Sequence, residues 1–141
     1  MGLISNGTTL LDAGAIDSGV ATGSMTLIKT LTASSSGTLS FVDGAASVVL
    51  DGTYKEYIFK FYNIHPASDD QNLFFNMSAD TGSNYNVTKT TTYFRANHNE
   101  NDGAASINYR TGEDLAQATG YQKLTLGTNN DNDSGSSGYL H

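Results

Sequence analysis

The stretch whose reading decides the fold is YKEYIFKFYNIHPASDDQNLFFNMS, Tyr54 to Ser78, which holds half of the Phe and Tyr residues in the chain. Successive side chains of a strand alternate between faces, so Tyr57, Phe59 and Phe61 share one face. Ile58, Tyr62 and Ile64 share the other, interrupted by Lys60. A strand apolar on both faces is expected at the centre of a sheet or covered on both sides. Pro66 stops the ladder because it has no N–H to donate, and Ser68-Asp69-Asp70 supply turn chemistry. The chain resumes with Leu73, Phe75 and Met77 on one face. The stretch therefore predicts a β-hairpin at the heart of an all-β domain, with its rings as the inner layer of two stacked sheets. By itself it names no chemistry.

Working outward, 141 residues suit a single domain with a core of its own. There is no Cys, so disulfides and thiolate metal sites are excluded and stability must come from packing and backbone pairing. The net charge is −7 with seven Lys and Arg, which argues against nucleic acid and anionic membrane as partners, since both need a basic footprint. No apolar run approaches the ~20 residues of a membrane span, and the start lacks the basic and long apolar run of a signal peptide. Thr, Tyr, Phe and Val in short runs between Gly and Asn/Asp clusters indicate an antiparallel all-β fold, a sandwich of jelly-roll type.

Residues 1–23 are small and Gly-rich, with Leu3, Ile4, Leu10, Leu11, Ile16 and Val20 as scattered anchors. They predict an extended N-terminal arm with one short strand, either a frayed terminus or an arm that docks on a neighbouring subunit. The sandwich domain is expected over residues 24–141. Met25 to Thr32 alternates as a strand, Ala33 to Gly37 is a Ser-rich loop, and Thr38 to Val42 is a strand with Leu39 and Phe41 facing in. Asp43-Gly44 and Asp51-Gly52 are turn signals on either side of the apolar run Val48 to Leu50. Asp80 to Asn84 is a further turn cluster, and the β-branched run Thr88 to Ala96 suits a strand. A polar loop spans Asn97 to Ala104, with a short strand expected over Ser106 to Tyr109, one helical turn over Glu113 to Ala118, and a strand over Tyr121 to Leu126. After the polar, acidic stretch Gly127 to Gly138, Tyr139-Leu140 resembles the start of another strand.

Candidate chemistry is sparse. His65, His98 and His141 lack the spacing of a metal pair. The Ser residues form no nucleophile elbow, and no carboxylate pair for glycoside hydrolysis can be placed. The run Asn129 to Gly135 is rich in side-chain oxygens, but an EF-hand loop begun at Asn129 would put Ser134 where Gly is needed and Leu140 where Glu is needed. Asn97, Asn99, Glu100 and Asp102 form a weaker cluster of the same kind. Asn6, Asn76, Asn86 and Asn132 fit the N-x-S/T pattern, as expected by chance in so Asn-rich a chain. No Gly-rich phosphate loop precedes a helix. No catalytic, cofactor or metal residue is therefore assigned. Tyr85, Tyr93 and Tyr109 are candidates to stack on sugar rings, against the plainer reading of cross-strand packing.

The segments LTASSSGTLSFVDG, from Leu31, and YKEYIFKFYNIHPASDDQNLFFNMSADTGSNY, from Tyr54, resemble a module of tailed-bacteriophage virion proteins. The shared pattern is a Ser-rich strand pair, a Tyr-x-x-Tyr strand (Tyr54, Tyr57), and an Asn-x-x-Pro-Ala-Ser/Thr-Asp turn (Asn63, Pro66, Ala67, Ser68, Asp69). A Ser-x-Asp-x-Gly-Ser-x-Tyr turn completes it (Ser78, Asp80, Gly82, Ser83, Tyr85). The opening MGLISNGTTLLDAGAI resembles the start of such proteins in marine phages. The resemblance implies a non-enzymatic structural protein of the virion, a capsid-decorating or tail-fibre component whose partners are other virion proteins and itself as a homo-oligomer. It also implies further strands beyond Tyr139 to His141, so the sandwich is expected to be incomplete at its C-terminal end and open to a strand from a neighbour, such as the arm 1–23. A carbohydrate-binding module for host-surface glycan is the alternative.

Overall fold

The computed structural model describes residues 3–12, 15–16 and 25–141. The described chain divides into two units, Met1–Thr30 and Leu31–His141.

In the first unit, β1 (Leu3–Ser5), β2 (Thr8–Asp12) and β3 (Ala15–Ile16) form one antiparallel sheet in the order β1-β2-β3. This is more structure than the single short strand expected of an arm. The cause is the two-residue turn Asn6-Gly7 between the paired residues Ser5 and Thr8. Both turn residues have positive φ, 48° and 80°, the combination that matches the twist of a hairpin and that Asn-Gly adopts most readily. The remainder of the expected arm, 17–23 with Val20, lies outside the described residues. Met25 to Thr30 was expected to belong to a strand but has no strand pairing among the described residues, and Leu27 is exposed. Alternation alone does not make a strand; a neighbouring backbone must accept and donate the ladder bonds.

The second unit contains three two-stranded antiparallel sheets, β4-β9, β5-β8 and β6-β7. They are built from β4 (Phe59–Ile64), β5 (Phe74–Phe75), β6 (Phe94–His98), β7 (Ala105–Tyr109), β8 (Gln122–Lys123) and β9 (Ser136–Leu140). The described residues are all-β and contain no helix. The helical turn expected over Glu113 to Ala118 is not formed: a tight turn closed by Glu113 N–H donating to the Arg110 carbonyl at 3.0 Å precedes it, and the Leu115 and Ala118 carbonyls accept from Thr91 and Lys89 N–H, each at 2.8 Å. The hairpin expected within Tyr54–Ser78 is not formed. β4 pairs instead with β9, Phe59 opposite Leu140 and Phe61 opposite Gly138, and β5 pairs with β8. The turn residues between β4 and β5 serve another partner: Asp69 Oδ1 accepts from Asn130 N–H at 3.0 Å, and Asn129 Oδ1 accepts from Asp70 N–H at 3.2 Å. Gln71 and Thr128 exchange backbone bonds at 2.9 and 2.8 Å.

The alternation read along β4 is present. Tyr57, Phe59 and Phe61 are half-buried, and the Phe41 ring meets Phe59 edge-on with centroids 5.5 Å apart. The opposite face is open, with Tyr62 72% exposed, so β4 is not covered on both sides. A two-stranded ribbon has no sheet neighbour to cover its second face. Phe41 turns inward as expected while Leu39 is exposed, and Thr38 to Val42 pairs with no strand. The Asp43-Gly44 turn forms, with Asp43 Oδ1 accepting from Leu50 N–H at 2.8 Å, and it delivers Val48 to the interior at 5% exposure. Val48 is the only apolar side chain that is buried among the described residues.

Candidate functional site

The resemblance-bearing turns have a clear local cause. Ser78 Oγ donates to Asp80 Oδ1 at 2.5 Å and accepts from Gly82 N–H at 3.0 Å. Asp80 also accepts from Asn84 N–H at 2.8 Å and from Asn84 Nδ2 at 2.6 Å. These bonds favour the carboxylate, and they hold Asp80 down at about 2, with Ser78 the largest cause. Gly82 sits at φ 81° against Val42, where a Cβ would come within 2.9 Å of Val42 Cγ2. The motif Ser78-x-Asp80-x-Gly82 is thus a turn that satisfies itself and seats against the strand-like segment before it.

The Asn129 to Gly135 run is likewise spent on structure. Asn129 and Asn130 bind the Asp69-Asp70 turn, Ser134 Oγ accepts from Asn129 N–H at 3.1 Å, and His65 Nε2 lies 2.5 Å from the Asp131 carbonyl. His98 pairs with Asp102 at 3.0 Å and His141 with Glu56 at 3.3 Å, both on the surface. Among the described residues no group of three or more His, Cys, Asp or Glu converges on a point where a metal would sit. Asn97 is engaged with Ser106 Oγ at 2.6 Å, so the weaker oxygen cluster is not gathered either.

The three tyrosines singled out as sugar platforms separate. Tyr85 and Tyr93 are half-buried, with the Tyr93 hydroxyl reaching the Leu124 carbonyl at 3.4 Å. Tyr109 is open; its ring lies 5.2 Å from that of Phe94, and its hydroxyl donates to Asp114. That bond and the adjacent negative charge raise the Tyr109 hydroxyl above its usual range.

Two exposed aromatic faces result. On the ribbon β6-β7, the register puts Phe94, Ala96 and His98 opposite Tyr109, Ile107 and Ala105, all on one face. Arg95, Asn97, Ser106 and Asn108 occupy the other face. The ribbon is therefore amphipathic, yet its apolar side faces out: Phe94 is 68% and Ile107 79% exposed. On β4-β9, Lys60 stands opposite Tyr139, and Ile58, Tyr62 and Tyr139 lie on the outer face with it. Tyr139 is 71% exposed. The alternation of apolar residues at Phe94, Ala96 and at Ile107, Tyr109 was visible in the sequence; that it points away from the interior was not.

No protein-family model, no curated protein and no solved structure matches the chain. Burying a large apolar side chain is worth about 1.5–3 kcal/mol, so Phe94 and Ile107 left in water forgo stabilisation that a covering surface would supply.

Proposed function

We propose that the protein is a non-enzymatic structural component of a bacteriophage virion, a capsid-decorating or tail-fibre subunit that works by association with copies of itself and with other virion proteins. The observation that carries this reading is the apolar side of the β6-β7 ribbon, with Phe94, Ile107 and Tyr109 uncovered. A lone two-stranded ribbon is marginal in water, and a subunit contact would both cover its face and complete its sheet. The second edge of β9 has no strand partner among the described residues, which supports strand addition from a neighbour. A jelly-roll-like β-sandwich belongs to this proposal as the form the small sheets take once assembled. The resemblance of the Tyr54 to Tyr85 segment to virion proteins supplies the location. Light scattering on the full chain tests the reading: stable oligomers are expected. A monomer at every concentration, indifferent to deletion of residues 1–23, would overturn it.

A second reading has one specific observation in its favour. The Phe94–Tyr109 pair and the Tyr62–Tyr139 face are open aromatic surfaces of the kind that stack on sugar rings. Binding of host-surface glycan to these faces is tested on a glycan array, where loss of a positive signal on Tyr109→Ala or Tyr139→Ala identifies the platform.

A further inference from the structure

Lys89 is 8% exposed, yet among the described residues no carboxylate pairs with it. Burying a cation without a counter-ion is costly, and two neutral oxygens are a poor substitute for one. Those oxygens are the side-chain carbonyl of Asn76, 2.5 Å from Lys89 Nζ, and the Val87 carbonyl at 2.8 Å. The Asn76 amide is itself held rigidly. Its Oδ1 also accepts from Met77 N–H at 2.9 Å, and its Nδ2 donates to the Tyr85 and Thr119 carbonyls at 2.6 and 3.2 Å. Lys89 Nζ thus donates to an amide oxygen that already has a backbone donor. Attack at Cγ requires the amine to give up that proton and turn its lone pair to the carbon beside it.

We propose that Lys89 and Asn76 are a self-cross-linking pair that forms an intramolecular isopeptide bond. The uncharged amine of Lys89 attacks Cγ of Asn76, and the negative charge develops on Oδ1, where Met77 N–H receives it. The Cγ–Nζ bond forms and the Cγ–Nδ2 bond breaks. A proton passes from Nζ to Nδ2, and one ammonia leaves; nothing is oxidised or reduced. The hydrogen bond keeps the two groups together, so the step is intramolecular and avoids the entropy cost of a bimolecular encounter. No carboxylate among the described residues pairs with Lys89 to relay the proton, so the reaction is a slow, single maturation event. The product removes the buried charge and closes a covalent loop from residue 76 to residue 89, independently of any subunit contact.

Intact-mass spectrometry of the full chain, fresh and after prolonged incubation at neutral and mildly alkaline pH, tests this. The expected result is a fraction lighter by one ammonia that grows with time. Trypsin then fails to cut after Lys89, and one peptide spanning residues 61–95 carries the loss, without fragment ions from between residues 76 and 89. The Lys89→Arg and Asn76→Ala chains stay at full mass. If the native chain keeps its full mass while circular dichroism shows it folded, the proposal is overturned. It is also overturned if the Lys89→Arg chain still loses ammonia within its tryptic peptide 61–89, because the ring would then have closed on the Met77 backbone nitrogen. The peptide map reads the native chain directly, so a variant that fails to fold does not leave the question open.

Discussion

The ring of Phe61 lies directly over Gly138: a Cβ on that glycine would come within 2.7 Å of Phe61 Cζ and 3.1 Å of Cε2. The two residues are opposite each other in the β4-β9 register, so the ring packs onto bare backbone of the partner strand. The absence of a side chain at 138 is what lets Phe61 stay on the inner face beside Phe59, which in turn contacts Phe41.

Gly138→Ala is therefore expected to displace the Phe61 ring and destabilise the β4-β9 pair by about 1–3 kcal/mol, the usual range for overpacking. Thermal denaturation followed by circular dichroism reads the loss. Adding Phe61→Leu to Gly138→Ala should recover part of it, because residues in contact are not additive. A double-variant loss equal to the sum of the Gly138→Ala and Phe61→Leu losses would show that the ring and the glycine do not meet.

This pair also shows which features of the fold were readable in the sequence. The inward face of β4 was legible, because the period-two pattern at Tyr57, Phe59 and Phe61 is local. Its partner was not, since β9 follows more than seventy residues later; Asn63 N–H donates to Ser137 Oγ across a separation of 74 residues. The Pro66 to Asp70 turn looked like a hairpin turn because turn chemistry signals a reversal without saying what the chain returns to. The Asn6-Gly7 hairpin has a local signal in its Asn-Gly pair, set among the small residues of the arm. The buried contact between Lys89 and Asn76 had no local signal, since both residues sit in polar, Thr- and Asn-rich surroundings.

Asn6-Gly7 gives a second expectation. Gly7 holds φ 80° with open space around its Cα, so Gly7→Ala meets no clash and its cost is purely conformational. The loss should be about 1–2 kcal/mol, confined to the β1-β2-β3 sheet. Amide exchange at residues 3–5 and 8–12 should accelerate while that of residues 59–64 is unchanged. A global effect on both units would contradict the division of the chain at Thr30.

The Ser78 to Asn84 turn should be acid-labile. Asp80 is held at about 2 in the fold against an ordinary value of 3.8, so its contribution is present above pH 3.8 and is lost as pH falls through about 2. The Gly82 and Asn84 amide resonances should report loosening between about pH 4 and pH 2. Asp80→Asn should flatten that dependence, because an amide does not titrate in this range. If the native turn is unchanged at the acid end of the window, the carboxylate is not what holds it.

The assembly proposal makes a demand that ordinary packing does not. Ile107 is 79% exposed, so in the isolated chain little is lost when it is replaced. Surface substitutions of this kind usually stay within about 0.5 kcal/mol of the parent stability. In an oligomer that buries the β6-β7 face, Ile107→Asp would instead bury a carboxylate in an apolar contact, a far larger penalty. The expected outcome is separation of two readouts. Sedimentation should show association weakened by tenfold or more, which corresponds to about 1.4 kcal/mol per factor of ten, while the melting temperature measured at low concentration stays close to that of the parent. Phe59→Ala should do the reverse at the level of the subunit, lowering the melting temperature by removing the contact with Phe41. If Ile107→Asp leaves association intact, the β6-β7 face is not the contact and the reading built on it fails.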